Sequence, residues 1–302
     1  MPLSHLLLAL AAVAVWGTNF VVIKWGLATW PPLLFVALRY ALSSLPLLVL
    51  ARPRVSWGLI AGYGLLIGVG QFGLLFYAIK SDITPGLASL VVQMQVFFTI
   101  AMSGWLFGEK LRPLQSLALA LAIAGIGLIA WHVSAPSTGA TTTLRGIGLV
   151  LLAAACWASS NLVVKHIGRV DMLAFIAWSS MVPTIALTVL SLVLEGREQV
   201  ASAFAQAGTL AWIAVLWQAL GNTLFGFAAW SWLLARHPAA SVTPMALLVP
   251  VFGMGASAWL LAEPLPAWKL IATALVLGGL GLNVWAGRLA AAEARAAVRR
   301  PG

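Results

Sequence analysis

The sequence predicts an all-α integral membrane protein with ten transmembrane helices, built as two inverted five-helix repeats. Three observations carry this expectation. Of 302 residues, 62% are hydrophobic and 8% charged, against about 25% charged in an average soluble domain. So little polar surface cannot coat a water-soluble globule. Stretches free of Asp, Glu, Lys and Arg recur along the chain, and most reach the ~20 apolar residues a spanning helix needs. Finally, polar and aromatic landmarks of the first half return in the second.

The spans are expected at 4–25, 32–50, 57–79, 85–106, 113–132, 145–165, 172–194, 209–233, 239–261 and 267–287. Their runs are continuously apolar rather than alternating, which favours helices over a barrel. The first lacks a basic residue before its apolar core and reads as a retained helix rather than a signal peptide. Pro31, Pro32, Pro53, Pro113, Pro136, Pro238 and Pro266 punctuate the joints, as breakers do. Connectors are short; the longest are Val133–Leu144 and Glu195–Gly208, so no soluble catalytic domain fits between spans.

Ten spans place both termini on one side. That side carries eleven Lys and Arg, the other five, with Arg39 left inside the membrane. The positive-inside rule then puts both termini in the cytoplasm. The formal net charge of +10 is spread over loops and tail, which argues for a lipid bilayer as partner and against nucleic acid.

"AVWGTNFVVIK" (14–24) aligns with "ACWASSNLVVK" (155–165) at an offset of 141. "SGWLFGEKL" (103–111) aligns with "SAWLLAEPL" (257–265), and "AGIGLIAW" (124–131) with "GGLGLNVW" (278–285), both at 154. Trp16 thus matches Trp157, Lys24 matches Lys165 and Glu109 matches Glu263. Five spans per copy is odd, so the second copy enters from the opposite side. Inverted repeats give two related conformations around a shared central site. The expected units are 1–132, a short periplasmic linker 133–144, 145–287, and a basic cytoplasmic tail 288–302.

Polar side chains deep in a span are costly against lipid, so they face the bundle or a wet cavity. The candidates for the substrate cavity are Trp16, Asn19, Arg39, Gln71, Gln93, Gln95, Asn161, Gln218 and Asn222. Each Gln or Asn has an alternative role in bonding neighbouring helices. Arg39 needs a partner that the nearby sequence lacks, and it suits an anionic group of a substrate. Lys24 and Lys165 are candidate gate or boundary residues; Lys24 alternatively snorkels to the surface. Glu109 is a candidate for coupling. Small residues on spans 5 and 10, such as Gly125 and Gly279, permit close contact, within one chain or between two. Pro244 and Pro250 are expected to bend span 9. Trp30, Trp57, Trp105, Trp131, Trp268 and Trp285 read as an interface belt.

All seven acids fall in loops, at helix ends or in the tail. A cation-drug antiporter working through a mid-membrane carboxylate is therefore disfavoured. The four His show no metal-ligand spacing, the lone Cys156 excludes an intramolecular disulfide, and no phosphate loop is visible. No metal, no cofactor and no enzyme activity are expected.

"VWGTNFVVIKWGL", "PPLLFVALRY", "ARPRVSWGLIAGYGL", "PGLASLVVQMQVFFTI", "FGEKL", "ALLVPVFGMGASAWLLAEPL" and "GGLGLNVWAGR" together resemble the EamA family of the drug/metabolite transporter superfamily, over nearly the whole chain. The resemblance implies an inner-membrane exporter of small amino-acid-like metabolites, of the O-acetylserine and cysteine kind. It points to Asn19, Arg39, Gln71, Gln93 and Gln95 as cavity residues. Export of aromatic compounds or drugs, and a non-transporting scaffold or sensor, stay open at this level.

Overall fold

The computed structural model describes residues 1–107, 112–134, 142–168, 170–237 and 239–298, and every element among them is helical. Among the described residues, nine helices are long and apolar enough to span, and a shorter apolar one completes the set of ten. They are α1 (Leu3–Gly26), α2 (Pro32–Leu48), α3 (Trp57–Ser81), α4 (Pro85–Leu106), α5 (Pro113–Ser134), α6 (Leu144–Ile167), α7 (Met172–Glu195), α8 (Thr209–Arg236), α9 (Thr243–Leu260) and α10 (Ala267–Ala290). The protein is a multi-pass membrane protein.

Two boundaries differ from expectation. The connector after α7 holds a short helix, Arg197–Gln206, opened by Gly196 at positive φ. The last helix runs on to Val298; Ala-rich sequence with high helix propensity carries it past the apolar stretch into the expected tail.

Local chemistry sets the starts. Pro32 and Pro85 occupy first-turn positions, where a missing N–H is harmless. Ser56, Thr143 and Asp171 accept from backbone N–H groups of α3, α6 and α7. Two other starts are capped from afar. Glu195, ending α7, accepts from the N–H groups of Leu33 (2.7 Å) and Leu34 (3.2 Å). Glu263, after α9, accepts from Gly86 N–H at 3.0 Å and from the Thr84 hydroxyl, and pairs with Lys269 at 2.8 Å. A carboxylate at a helix N-terminus meets both its orphan donors and its dipole. Both caps lie on the face opposite the termini, here called the far face, and both join first-half helices to second-half elements.

The packing is reciprocal between halves. α1 packs on α8 and α9, and α6 packs on α3 and α4; α2 pairs with α7, and α5 with α10. The α5–α10 contact shows the symmetry at atomic detail. A Cβ on Gly125 would lie 2.9 Å from Ala272 O and 2.7 Å from Val276, and one on Gly279 2.5 Å from Ala118 O and 3.2 Å from Ala122 N. Each residue of one set matches the other at the offset of 154, the self-complementary pattern of a two-fold. The small residues at these positions serve contact within one chain. Gly279→Val is expected to force these backbones apart and cost about 1–3 kcal/mol, lowering the thermal midpoint in detergent. Gly281→Val, with nothing within 4 Å of its Cβ, is the control expected to leave it unchanged.

Backbone irregularities also recur. A nine-residue π-helical segment occupies Leu65–Gly73 in α3 and another Trp217–Phe225 in α8, 152 residues apart. Short 3-10 turns break α4 at Val92–Met94 and precede the main body of α9 at Thr243–Leu247, where Pro244 removes an N–H donor. Discontinuous helices at matching places of inverted repeats mark the binding region of secondary transporters, and π segments concentrate at functional sites.

Tryptophan placement corrects one expectation. Trp57, Trp105, Trp131 and Trp285 are exposed to the exterior, but Trp30 is fully buried. Its indole donates to Ala211 O at 3.0 Å, and its ring packs edge-on against Phe204 and Trp212. It closes the far face instead of belonging to a belt.

Candidate substrate-binding site

Arg39 is fully buried, seven residues into α2 from the far face. Its Nε donates to Thr223 Oγ1 and its Nη1 to Gln218 Oε1, both at 3.1 Å. Gln218 Nε2 in turn donates to Asn19 Oδ1 at 2.7 Å. The guanidinium carbon stands 3.6 Å from the centroid of the Phe72 ring, a cation–π contact in a desolvated site. Thus the two nine-residue π segments grip one cation: α3 supplies Phe72, and α8 supplies Gln218 and Thr223.

The widened turns explain how α8 reaches it. The Thr223 hydroxyl donates to Gln218 O, five residues back, at 2.9 Å. Trp16 Nε1 donates to Asn222 O at 3.1 Å, and the Trp16 ring lies over Gly226, where any Cβ would come within 2.3 Å of its nitrogen. Gly17 lets α1 approach α9 closely, its would-be Cβ 2.6 Å from Val249 O.

Seven buried side-chain atoms lack a hydrogen-bonding partner among the described residues: Arg39 Nη2, Ser43 Oγ, Gln71 Oε1 and Ser179 Oγ on α2, α3 and α7, and Trp217 Nε1, Ser257 Oγ and Asn283 Oδ1 on α8, α9 and α10. No carboxylate of the described residues pairs with Arg39. A buried cation without a counter-ion is costly, and native proteins rarely leave such groups unmet without a reason.

A crevice of ≈ 200 Å³ leads toward this centre. It lies between α7 (Asp171, Leu173, Ile176) and α8 (Thr223, Phe227, Ser231). Asp171 precedes α7 and Ser231 is near the end of α8, so the crevice belongs to the termini face. Past Ile176, Thr223 and Phe227, a void of ≈ 10 Å³ is lined by Tyr40, Tyr63, Ile67, Ser179 and Ser180. Thr223 therefore faces the cavity with one side of its side chain and holds Arg39 with its hydroxyl.

The predicted residues fall into groups. Asn19, Arg39 and Gln218 form one network, with Trp16 and Asn222 beside it. Asn161 and Gln95 meet elsewhere: Asn161 Nδ2 donates to Gln95 Oε1 (3.0 Å) and Thr99 Oγ1 (3.2 Å), joining α6 to α4. Gln93 is buried in the 3-10 turn of α4, and Gln71 in the π segment of α3. Lys24 is half-buried at the far-face end of α1. Its Nζ donates to Ile79 O and Lys80 O, both at 3.1 Å, while Lys80 donates to Leu27 O, so α1 and α3 cap each other's C-termini at the far face. Lys165 donates to Ser103 Oγ at 2.7 Å near the termini face. Glu109 lies outside the described residues.

Thr223, Phe72, Ser43 and Ser179 were not singled out from the sequence. A signal existed for one. "PLLFVALR" (32–39) aligns with "MLAFIAWS" (172–179) at an offset of 140, and the two helices start at that same offset. Ser179 is thus the repeat counterpart of Arg39, and only one copy of the site carries the cation.

Comparison with known proteins places this architecture. A model of the EamA-like transporter family matches twice, over residues 3–131 and 144–285, one match per five helices. A "Probable amino-acid metabolite efflux pump" of Salmonella typhimurium (strain LT2) is 38% identical over 287 residues, covering 93% of this chain and 95% of that protein. The protein of the same description in Escherichia coli (strain K12) is 37% identical over 283 residues, covering 92% and 94%. A solved crystal structure superposes with a TM-score of 0.62 at 20% identity, covering 94% of this chain and 98% of the other, and so shares the fold. The chain belongs to the EamA-like transporter family.

Proposed function

We propose that this transporter exports small amino-acid-like metabolites, of the O-acetylserine and cysteine kind, from a bacterial cytoplasm across the inner membrane. The observation that carries the reading is Arg39: a buried guanidinium with one free N–H edge, held between the two π segments at the inner end of a crevice. A substrate carboxylate supplies the missing negative charge, and guanidinium–carboxylate bonds are strong in a dry site. The description printed for the 38% identical relative supports the same substrate class. A cationic drug fits less well, because the unpaired cation repels it, and a purely aromatic drug supplies no counter-charge, offering only the kind of contact that Phe72 already makes.

The halves, 1–132 and 145–287, act as the two moving units, joined by the linker 133–144 and followed by the tail 288–302. The eleven-to-five distribution of basic residues supports cytoplasmic termini, so the crevice faces the cytoplasm and the far face is periplasmic. In that orientation the structure takes up substrate from inside, with the periplasmic exit closed by the Glu195 and Glu263 caps, the Lys24–Lys80 exchange and Trp30.

Sealed vesicles loaded with O-acetylserine or cysteine test this. Efflux above control vesicles, competed by neutral amino acids and not by aromatic amines, is expected. Efflux of aromatic amines alone overturns the amino-acid reading.

A further inference from the structure

Of the four buried atoms without partners on α2, α3 and α7, Arg39 Nη2 can only donate and Gln71 Oε1 can only accept; the two serine hydroxyls can do either. A carboxylate bound at Arg39 accounts for the donor alone. It leaves unexplained why an amide carbonyl and a hydroxyl are buried unmet in the same part of the interior.

Their placement gives a reason. Tyr63 and Ile67 wall the inner void, and Gln71 follows Ile67 by four residues, one turn further along the same face of α3. Its side chain is 2% exposed, as is that of Ser179, which walls the same void from α7. The two helices are close here: a Cβ on Gly64 would lie 2.5 Å from Ser179 O, and one on Gly68 2.2 Å from Pro183. Next to Gln71, Phe72 carries the guanidinium of Arg39 on its ring. Ser179 thus lines the void together with Tyr40, the chain neighbour of Arg39, and Thr223, its hydrogen-bond partner, Gln71 lies just beyond the void-lining Ile67, and no carboxylate of the described residues lines the void.

We propose that Gln71 Oε1 and Ser179 Oγ form an ammonium subsite facing Arg39, so that the transported molecule is a zwitterion held at both charged ends. This deepens the amino-acid reading above and rests on it. The substrate carboxylate accepts from Arg39 Nη2, and its ammonium donates to the amide oxygen of Gln71 and the hydroxyl of Ser179. Neutral acceptors suit this role. A buried carboxylate in their place would neutralise Arg39 and compete with the substrate for it, whereas an amide and a hydroxyl recognise the ammonium and leave the cation available. The same logic selects against simple amines, which bring no anion, and against plain carboxylic acids, which leave the acceptors unmet.

The test compares binding of cysteine and its desamino analogue, 3-mercaptopropionate, to the full chain in lipid nanodiscs. The wild type is expected to bind cysteine roughly tenfold to a hundredfold more tightly, the value of a charge-assisted hydrogen bond. Gln71→Leu is expected to erase that preference while leaving 3-mercaptopropionate binding within about threefold of wild type. Ser179→Ala, which removes one hydroxyl and keeps the backbone, is expected to reduce the preference in part. The proposal is overturned if the wild type binds both compounds equally, or if both variants weaken the two compounds alike. If the wild type binds neither compound, and O-acetylserine and serine also fail, the amino-acid reading itself falls and takes the subsite with it.

Discussion

Arg39→Met abolishes transport and leaves the protein at least as stable as the wild type. Both halves of this expectation follow from the same geometry. Met fills much of the volume of the arginine stem and stays in van der Waals reach of Phe72 and Tyr40. It gives up the hydrogen bonds to Thr223 and Gln218, but it also removes a buried charge that no described carboxylate compensates. Relief of the desolvation cost of a charge without a counter-ion is expected to offset the roughly 1–3 kcal/mol cost of leaving the Gln218 and Thr223 acceptors without their donor. On the proposed reading transport depends on the anion contact, and its loss is expected to cost at least ~3 kcal/mol, or more than a hundredfold in the efflux rate at low substrate. Arg39→Lys is expected to fall between, since the ammonium keeps the charge but loses the planar fork that reaches Thr223, Gln218 and a substrate together. Efflux from vesicles and thermal unfolding in detergent check the pair of effects. A purely structural arginine gives the opposite pattern, in which the melting midpoint drops and efflux falls only in proportion to folded protein.

The ten helices were legible because span length and the absence of charge are properties of sequence alone. The repeat was legible at Trp16, Lys24, Glu109 and Gly125, where identical or similar residue types recur at fixed offsets. Arg39 was legible as a cost, an ion placed where solvent is scarce. Its partners were harder. Asn19 and Gln218 stand 199 residues apart, and their contact depends on α1 crossing to the second half. Thr223 hides because a hydroxyl in an apolar helix ordinarily bonds its own backbone; it does so here, donating to Gln218 O, and its oxygen still accepts from Arg39. The π segments themselves leave no composition signature, since "LLIGVGQFG" and "WQALGNTLF" read as ordinary helix. Asn161 and Gln95 group with the cavity by depth, and the structure shows them bonded to each other between α6 and α4. Depth along a helix says how far a residue lies from water, not which neighbour it faces.

The second large effect concerns the exchange between states. The repeat makes the α7–α8 seam at the termini face the counterpart of the α2–α3 seam at the far face. The first is open as the crevice. The second is shut: Phe35 meets Phe76 edge-on at 5.2 Å, Val36, Leu75 and Ile79 are buried, and Glu195 caps the start of α2. Leu33 and Val36 match Leu173 and Ile176 of the open seam at the offset of 140. One sequence family folded twice in opposite senses therefore occupies two different conformations here. Under the proposed transport cycle, exchanging them is expected to open α2 from α3 at the far face and to close α7 on α8, with Arg39 and the nine-residue π segments between the two seams. Sub-ångström changes at a bound carboxylate can bias such a choice because packed seams are bistable.

Paired cysteine labelling measures this exchange directly, in a background with Cys156 replaced by Ala. One cysteine replaces Ser231 in the crevice, and another, in a separate variant, replaces Phe76 in the closed seam. Without substrate, a membrane-impermeant maleimide is expected to label position 231 from the termini face and to leave position 76 unlabelled from either side. With saturating O-acetylserine or cysteine, labelling at 231 is expected to fall and labelling at 76 from the far face to rise, and adding Arg39→Met is expected to remove both responses. Accessibility that is the same with and without substrate, or a response that persists in Arg39→Met, contradicts an exchange of seams driven by substrate at Arg39.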